Sequence, residues 1–161
     1  ARIWGIDTDI NYDFTEKFTL KNQISFLKGF DKINNDPLIN MPPLNFKNEI
    51  SYKNSDLNNL IVSIQSDFTF KQNDYPNNNF EVFVPTTGKM ELADVSSTPS
   101  AYHLLNFRSS IELNTENKSK IKIGMSINNL LDKSYKNYLN RMRNYSHDLG
   151  RNIMLNINVN Y

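Results

Sequence analysis

The sequence predicts an all-β fold of about seven antiparallel strands, and three observations carry that expectation. Apolar residues fall on alternate positions over long runs, clusters of Asn, Asp, Ser and Pro separate the runs, and the separating segments alternate between short and long. Alternation with a period of two marks a strand whose two faces meet different surroundings. Clusters such as INNDPLIN, KNSDLNN and KQNDYPNNN are turn and loop chemistry. Helical periodicity is weak, and the best stretch, 128–143, breaks its apolar stripe too often to be read as a helix.

Strands are expected near 1–14, 18–28, 44–52, 60–71, 102–114, 120–131 and 151–161. The first sets Trp4, Ile6, Thr8, Ile10, Tyr12 and Phe14 against Gly5, Asp7, Asp9, Asn11 and Asp13. The second sets Phe18, Leu20, Asn22, Ile24 and Phe26 against Thr19, Lys21, Gln23 and Ser25. The third opposes Leu44, Phe46, Asn48, Ile50 and Tyr52 to Asn45, Lys47, Glu49 and Ser51, and the fourth opposes Leu60, Val62, Ile64, Ser66, Phe68 and Phe70 to Ser63, Gln65, Asp67, Thr69 and Lys71. Leu105, Phe107, Ser109, Ile111 and Leu113 form the oily side of the fifth, and Ile121, Ile123, Met125 and Ile127 that of the sixth. The last strand alternates Ile153, Leu155, Ile157, Val159 and Tyr161 with a row that is mostly Asn. These apolar registers contain no Asp, Glu, Lys or Arg. With 22% of the chain charged, about eight charges would fall among some forty such positions by chance.

Composition narrows the functional classes. A net charge of +1 gives no basic field for nucleic acid. The absence of Cys rules out thiolate chemistry, disulfides and Cys-based metal sites. No apolar run approaches the roughly 20 residues of a membrane helix. The chain opens on ARIWGID without an initiating Met or a signal peptide, as though already within a strand, and reads as a piece of something longer. No enzyme constellation appears: there is no nucleophile elbow or phosphate loop, and His103 sits on the oily register. Asp7, Asp9, Asp13, Glu49 and Asp67 are expected to balance Lys21, Lys47, Lys71, Arg108 and Lys122 across one face.

An uncharged face can line the interior of a small soluble barrel or point outward into lipid around a wet lumen. Three features favour lipid. Aromatic residues sit toward the ends of the oily stripes, where a membrane boundary suits them. Short joins (TEK, KNSDLNN, NTENKS) alternate with long ones (29–43, 72–101, 132–150), which places all short turns at one rim. A strand of about eleven residues, tilted near 40°, climbs roughly 28 Å, enough to cross the hydrocarbon. Every backbone polar group must still be paired, so seven such strands imply a larger closed barrel.

Four segments resemble, in family order, the C-terminal part of a TonB-dependent outer-membrane receptor of the Bacteroidetes type, and the resemblance covers nearly the whole chain. They are ARIWGIDTDINYDF, DPLINMPPLNFKNEISY, INNLLDKSYKNYLNR and LGRNIMLNINVNY. Leu130-Leu131 stands where an aromatic is common in the family, Leu149 where Pro is frequent, and Tyr161 where Phe is commoner. The resemblance implies that residues 1–161 are a portion of an antiparallel transmembrane barrel of about 22 strands, without its N-terminal plug and earlier strands. It implies import of a ferric siderophore or similar metal complex across the bacterial outer membrane, energised by TonB through the absent region.

The resemblance also implies that Ile153, Leu155, Ile157, Val159 and Tyr161 form the signal read by the outer-membrane assembly machinery, with their side toward lipid. It makes the three long joins external. There Tyr138, Arg141, Arg143, Tyr145 and His147 are candidates to bind an anionic aromatic chelate, and Tyr75, Phe80 and Phe83 are candidates for a ligand platform. The bland alternatives are a solvated loop, lipopolysaccharide contact and packing of the loop on itself. No resident cofactor and no metal ligand set is expected, His147 beside Asp148 lacking any ligand spacing. A soluble lipocalin-like carrier of a small apolar ligand and another outer-membrane barrel, an adhesin or an enzyme, are the competing readings.

Overall fold

The computed structural model describes residues 1–115 and 119–160; Tyr161, expected to close the last strand, lies outside the described residues. The chain folds as β1 (Arg2–Asp13), β2 (Phe18–Asp31), β3 (Asp36–Pro37), β4 (Asn45–Asn54), β5 (Leu60–Thr69), β6 (Phe80–Val84), β7 (Lys89–Ala93), β8 (Tyr102–Asn114), β9 (Lys120–Asn128) and β10 (Asn152–Asn160). Seven of these form one antiparallel sheet in the order β1-β2-β4-β5-β8-β9-β10, with β3 added to the end of β2 and β6-β7 standing apart as a hairpin. Each strand of the wall pairs with its neighbour along the chain, so the turns after β1, β4 and β8 share one rim and the long joins share the other.

The ladder keeps the two faces separate. Ile6 pairs with Phe26, Ile24 with Phe46, Ile50 with Ile64, Ile64 with Phe107, Ile111 with Ile123, and Ile123 with Ile157. A one-residue shift of register would set apolar residues against polar ones, Ile24 opposite Lys47 or Asn45 and Ile123 opposite Glu112 or Ser110. The polar face is the concave one, because residues from all seven strands of the wall, among them Asn11, Lys21, Glu49, Ser63, Arg108 and Asn158, border a single open cavity of about 650 Å³.

The apolar face is not a core. Among the described residues the one buried hydrophobic side chain is Tyr138, in a loop, whereas Ile6 is 59% exposed, Ile50 44% and Ile157 61%. Apolar registers that pointed into a soluble interior would converge and bury one another; here they diverge. This removes the lipocalin-like reading, which needs an apolar interior to hold its ligand.

Aromatic rings frame that outer face. Tyr12, Phe14, Phe18 and Tyr52 form a continuous run at the short-turn rim, with centroids 5.0–6.4 Å apart from ring to ring. Toward the long-join rim Trp4 meets Phe26 at 5.3 Å, and Phe70 meets Phe46 at 5.6 Å and Phe68 at 4.7 Å. The eight steps along the strand from Trp4 to Tyr12, at about 3.3 Å each and tilted near 40°, give roughly 20 Å of height, against an apolar band of about 25 Å in barrels of this kind.

The Asn-rich clusters have a backbone explanation. All the non-glycine residues with left-handed φ among the described residues are Asn or Asp: Asn35, Asn40, Asn58, Asn59, Asn129 and Asp132. These short polar side chains tolerate that region where bulky ones do not. At the second short turn the Asn54 side chain accepts from Asp56 N at 3.0 Å, opening a single 3₁₀ turn over Ser55–Leu57 that ends at Asn58.

Two strand ends and one hairpin differ most from the sequence expectation. β2 runs three residues further, to Asp31, because β3 folds back on it (Phe30 opposite Pro37), so the first long join begins later than 29. Lys28, on the outward register at this rim, bridges to Asp74 at 2.9 Å. β9 ends at Asn128 rather than near 131, because Asn129 turns left-handed and its amide clamps the Lys133 backbone through two 2.8 Å bonds. The second long join contains a hairpin, β6-β7, that the sequence reading does not expect; its turn is closed by Gly88 N donating to Val84 O at 2.8 Å, with Gly88 at φ +66°.

Ile64 and Gln65 are adjacent on β5 and face opposite sides. Ile64→Arg in the full-length protein is expected to cost about 2–4 kcal/mol, while Gln65→Arg on the wet side is expected to change stability by less than about 1 kcal/mol. Denaturant titration of the folded barrel by its heat-modifiable mobility checks both; a larger cost for Gln65→Arg would mean that the faces are assigned the wrong way round.

Candidate functional site

The concave wall is a lattice of opposite charges. Lys21 of β2 meets Asp9 of β1 at 2.9 Å, and Gln23 donates to the same carboxylate at 2.8 Å. Lys47 faces Asp67 at 3.9 Å, and Asn45 holds that carboxylate at 2.6 Å. Arg108 of β8 crosses over β5 to Glu49 of β4 at 3.4 Å, which is possible because the residue between them, Ser63, is small and lies buried beneath. Lys120 pairs with Glu112 at 3.0 Å. Of the balance expected from sequence, Asp9–Lys21, Asp67–Lys47 and Glu49–Arg108 are formed. Asp13 takes a Thr19 hydroxyl at 2.6 Å instead, and Asp7, Lys71 and Lys122 form no ion pair among the described residues. Such half-exposed pairs contribute only about 0–1 kcal/mol each. Their effect is to present a hydrophilic wall without net field.

The first and second long joins are fastened to the wall. Leu38 N donates to Gly29 O at 3.0 Å, and the chain from Leu38 to Met41 lies so close over Gly29 that a Cβ there would come within 2.6 Å of Met41 Sδ. Gln72 is buried and donates to Met41 O at 2.7 Å, tying the two joins together. Further along, Asn79 Oδ1 accepts from Val95 N and Ser96 N, both at 3.0 Å. Asp94 Oδ1 accepts from Ser97 N at 3.0 Å and Ser96 N at 3.2 Å. These amides, Ser97 first, hold the Asp94 carboxyl below its ordinary range.

The third long join is compact. Asp148 accepts from Asn137 N at 2.6 Å and from the Asn140 amide at 2.9 Å, while its own N–H donates to Tyr135 O. Tyr138 is 4% exposed, with the Arg143 guanidinium 4.8 Å from its ring centroid and donating to its carbonyl at 3.0 Å. Where this join meets the end of the second, a cavity of about 260 Å³ is bordered by Tyr102, Lys133, Tyr135, Lys136 and His147, with the Tyr102 and Tyr135 rings 4.6 Å apart.

Several residues proposed from sequence as ligand contacts are therefore placed differently. Tyr138 and Arg143 are spent on each other and cannot offer a ring face and a free guanidinium to a ligand. Phe80 and Phe83, three apart on β6, point to opposite sides of its hairpin and cannot form one platform. Phe83 instead shares a face with Met90 and Leu92, and Tyr75 lies half-buried before the hairpin. Arg141, Tyr145 (83% exposed) and His147 remain on the surface, and of these His147 alone borders the cavity. Lys133, Tyr135 and Lys136 were missed; the spacing Lys-Ser-Tyr-Lys carries no motif, and only the fold of the join brings them beside Tyr102. Ile153, Leu155, Ile157 and Val159 lie exposed along β10, as the last strand's oily side. No group of three or more His, Cys, Asp or Glu suited to a metal ion occurs among the described residues.

No protein-family model matches the chain, and no curated protein matches it in sequence. A solved structure, the copper transporter OprC, matches 96% of the chain with a TM-score of 0.76 at 15% identity. The chain thus shares the fold of part of OprC, an antiparallel β-barrel wall. The chain spans 23% of the OprC chain, so it corresponds to a segment of such a barrel wall.

Gly29→Val is expected to lift the first join from the wall at a cost of about 1–3 kcal/mol, seen as faster amide exchange over 38–44 with β4 unchanged. Because the Asp94 carboxyl is depressed in the folded chain, its contribution is present above its unfolded-state value and fades as pH falls through the folded one. Amide exchange at Ser97, corrected for its intrinsic rate, is therefore expected to lose protection only under acid conditions, and in Asp94→Ala to be unprotected at neutral pH as well, while Ser96 N keeps its bond to Asn79 Oδ1.

Proposed function

We propose that the chain is a wall segment of an outer-membrane receptor that imports a scarce metal as a ferric siderophore or similar complex, energised by TonB. The observation that supports this reading is the sorting of one sheet into a belted apolar outside and an uncharged-overall polar inside, a design suited to lipid on one side and a wet passage on the other. The likeness to a copper transporter supports metal import as the class of function. On this reading outer-membrane lipid covers the convex face, and the assembly machinery reads Ile153, Leu155, Ile157 and Val159 together with Tyr161. The plug and coupling box, and with them the contact with TonB, belong to parts of the protein other than these 161 residues.

The long joins are external in this reading, and the cargo is received where the second and third meet. Lys133 and Lys136 supply positive charge to an anionic chelate, and the Tyr102–Tyr135 pair supplies a stacking surface. Arg141, Tyr145 and His147 flank that entrance. The segment takes no part in bond-making chemistry: it orients and passes a cargo.

Deleting the full-length gene is expected to abolish uptake of labelled ferric chelate by iron-limited cells, with rescue by the wild-type gene. Lys133→Glu/Lys136→Glu is expected to weaken chelate binding by the purified receptor about tenfold, near 1.4 kcal/mol. Unimpaired uptake of every labelled iron and copper form in the deletion strain would overturn the reading; loss of copper uptake alone would keep metal import and change the cargo.

A further inference from the structure

Charges on the inner wall balance overall but not locally. The open cavity of about 650 Å³ is bordered by four cations, Lys21, Lys53, Arg108 and Lys122, and by a single carboxylate, Glu49. Lys21 and Arg108 are engaged, with Asp9 at 2.9 Å and Glu49 at 3.4 Å. Lys53 and Lys122 form no ion pair among the described residues. Glu112 stands directly opposite Lys122 on the ladder, yet its carboxylate takes Lys120 at 3.0 Å instead. Between these cations the floor is small and polar: Ser110 stands opposite Gly124, and Arg108 stands opposite Ser63 on one side and Ser126 on the other. Ser63 is 7% exposed and borders the cavity from the inward register. It makes no side-chain hydrogen bond among the described residues, whereas Ser51, paired with it on β4, donates to Glu49 at 3.1 Å. A buried hydroxyl ordinarily finds a partner, and the partner left to this one lies in the cavity.

We infer that this depression is a binding station for a bulky polycarboxylate-type anion inside the lumen, an assignment that rests on the proposed import of an anionic complex through a wet passage. The cations stand around the edge, and from β4 to β9 they are separated by three strand spacings, about 14 Å along the wall. That is too wide for one phosphate or one carboxylate and suits a ligand that carries several oxygen acceptors at its periphery. The cavity's size lies within the range of about 300–1,000 Å³ usual for small-molecule sites. The serine hydroxyls of the floor donate to such oxygens, and the ammonium and guanidinium groups add charge-assisted bonds. Cations lining a concave surface also raise the local concentration of an anion. From Tyr102, at the rim cavity, to Ser110 the strand descends eight steps, roughly 20 Å at about 3.3 Å per step and a tilt near 40°. The depression is therefore a second station, separate from the entrance.

The test uses the full-length receptor in detergent micelles, with benzenehexacarboxylate, a rigid disc bearing a carboxylate at each corner, as the probe. Lys53 and Lys122 are expected to be acetylated in the free receptor and to be protected several-fold by the probe, but not by benzoate at equal ionic strength, as read by mass spectrometry. Lys53→Gln/Lys122→Gln is expected to weaken probe binding about tenfold. Lys71→Gln, which removes the same charge from the same wall outside the depression, is expected to leave it unchanged, each variant being shown folded by its heat-modifiable mobility. The Lys133→Glu/Lys136→Glu receptor, altered at the rim, is expected to keep the protection of Lys122. Lysines unreactive without the probe, as when another part of the receptor fills the depression, overturn the lumen station. So do equal protection by benzoate, equal losses in the Lys53/Lys122 and Lys71 variants, and protection that disappears with the rim lysines. In each of these cases, chelate uptake that still depends on the receptor gene leaves the import reading standing.

Discussion

Along its middle this sheet joins like to like: Ile6 to Phe26, Ile50 to Ile64, Ile111 to Ile123 on one side, Lys47 to Asp67 and Glu112 to Lys122 on the other. Everything else depends on that register. Backbone hydrogen bonding fixes which residues are opposite one another, and the period of two fixes which side they take, so a single slip would drive charges through the oily band. The protein therefore has no hydrophobic core in the ordinary sense. Its apolar surface is stabilised by what surrounds it, and its internal cohesion comes from the ladder, which in hydrocarbon has no competition from water.

The two rims are built by different means. At the short-turn rim, Asn residues at left-handed φ and one 3₁₀ turn reverse the chain in a few residues. At the other rim the joins are long and held by side chains acting on backbone: Gln72 on Met41, Asn79 and Asp94 on Ser96, Asp148 on Asn137. These are local, directional bonds rather than packed apolar contacts, which suits segments that lie against water and must still hold a shape. The same bonds decide what is left for a ligand. Arg143 and Tyr138 are consumed in holding the third join, while Lys133, Lys136 and Tyr135 remain at its edge beside Tyr102.

The polar row of Asn22 and Asn48 shows the limit of an argument from average composition. Counting charges separates the two faces of the wall cleanly, yet uncharged polar residues pass through that count unnoticed. Their placement appears only when the ladder sets Asn22 opposite Asn48 and Asn48 opposite Ser66 on the outward face.

The sequence by itself determined the strands, their two faces and the rim to which each join belongs, because these follow from periodicity and from the conformational tolerance of Asn and Asp, which act over a few residues. Outward orientation of the apolar registers was expected from aromatic placement and join length, and the diverging side chains agree with it. The tertiary structure alone decided the lengths of β2 and β9, the hairpin within the second long join, and which loop residues stand together. Those depend on a strand folding back on its neighbour, on an amide clamping a backbone four residues away, and on joins far apart in sequence meeting at one rim. No local pattern in the chain encodes contacts of that range.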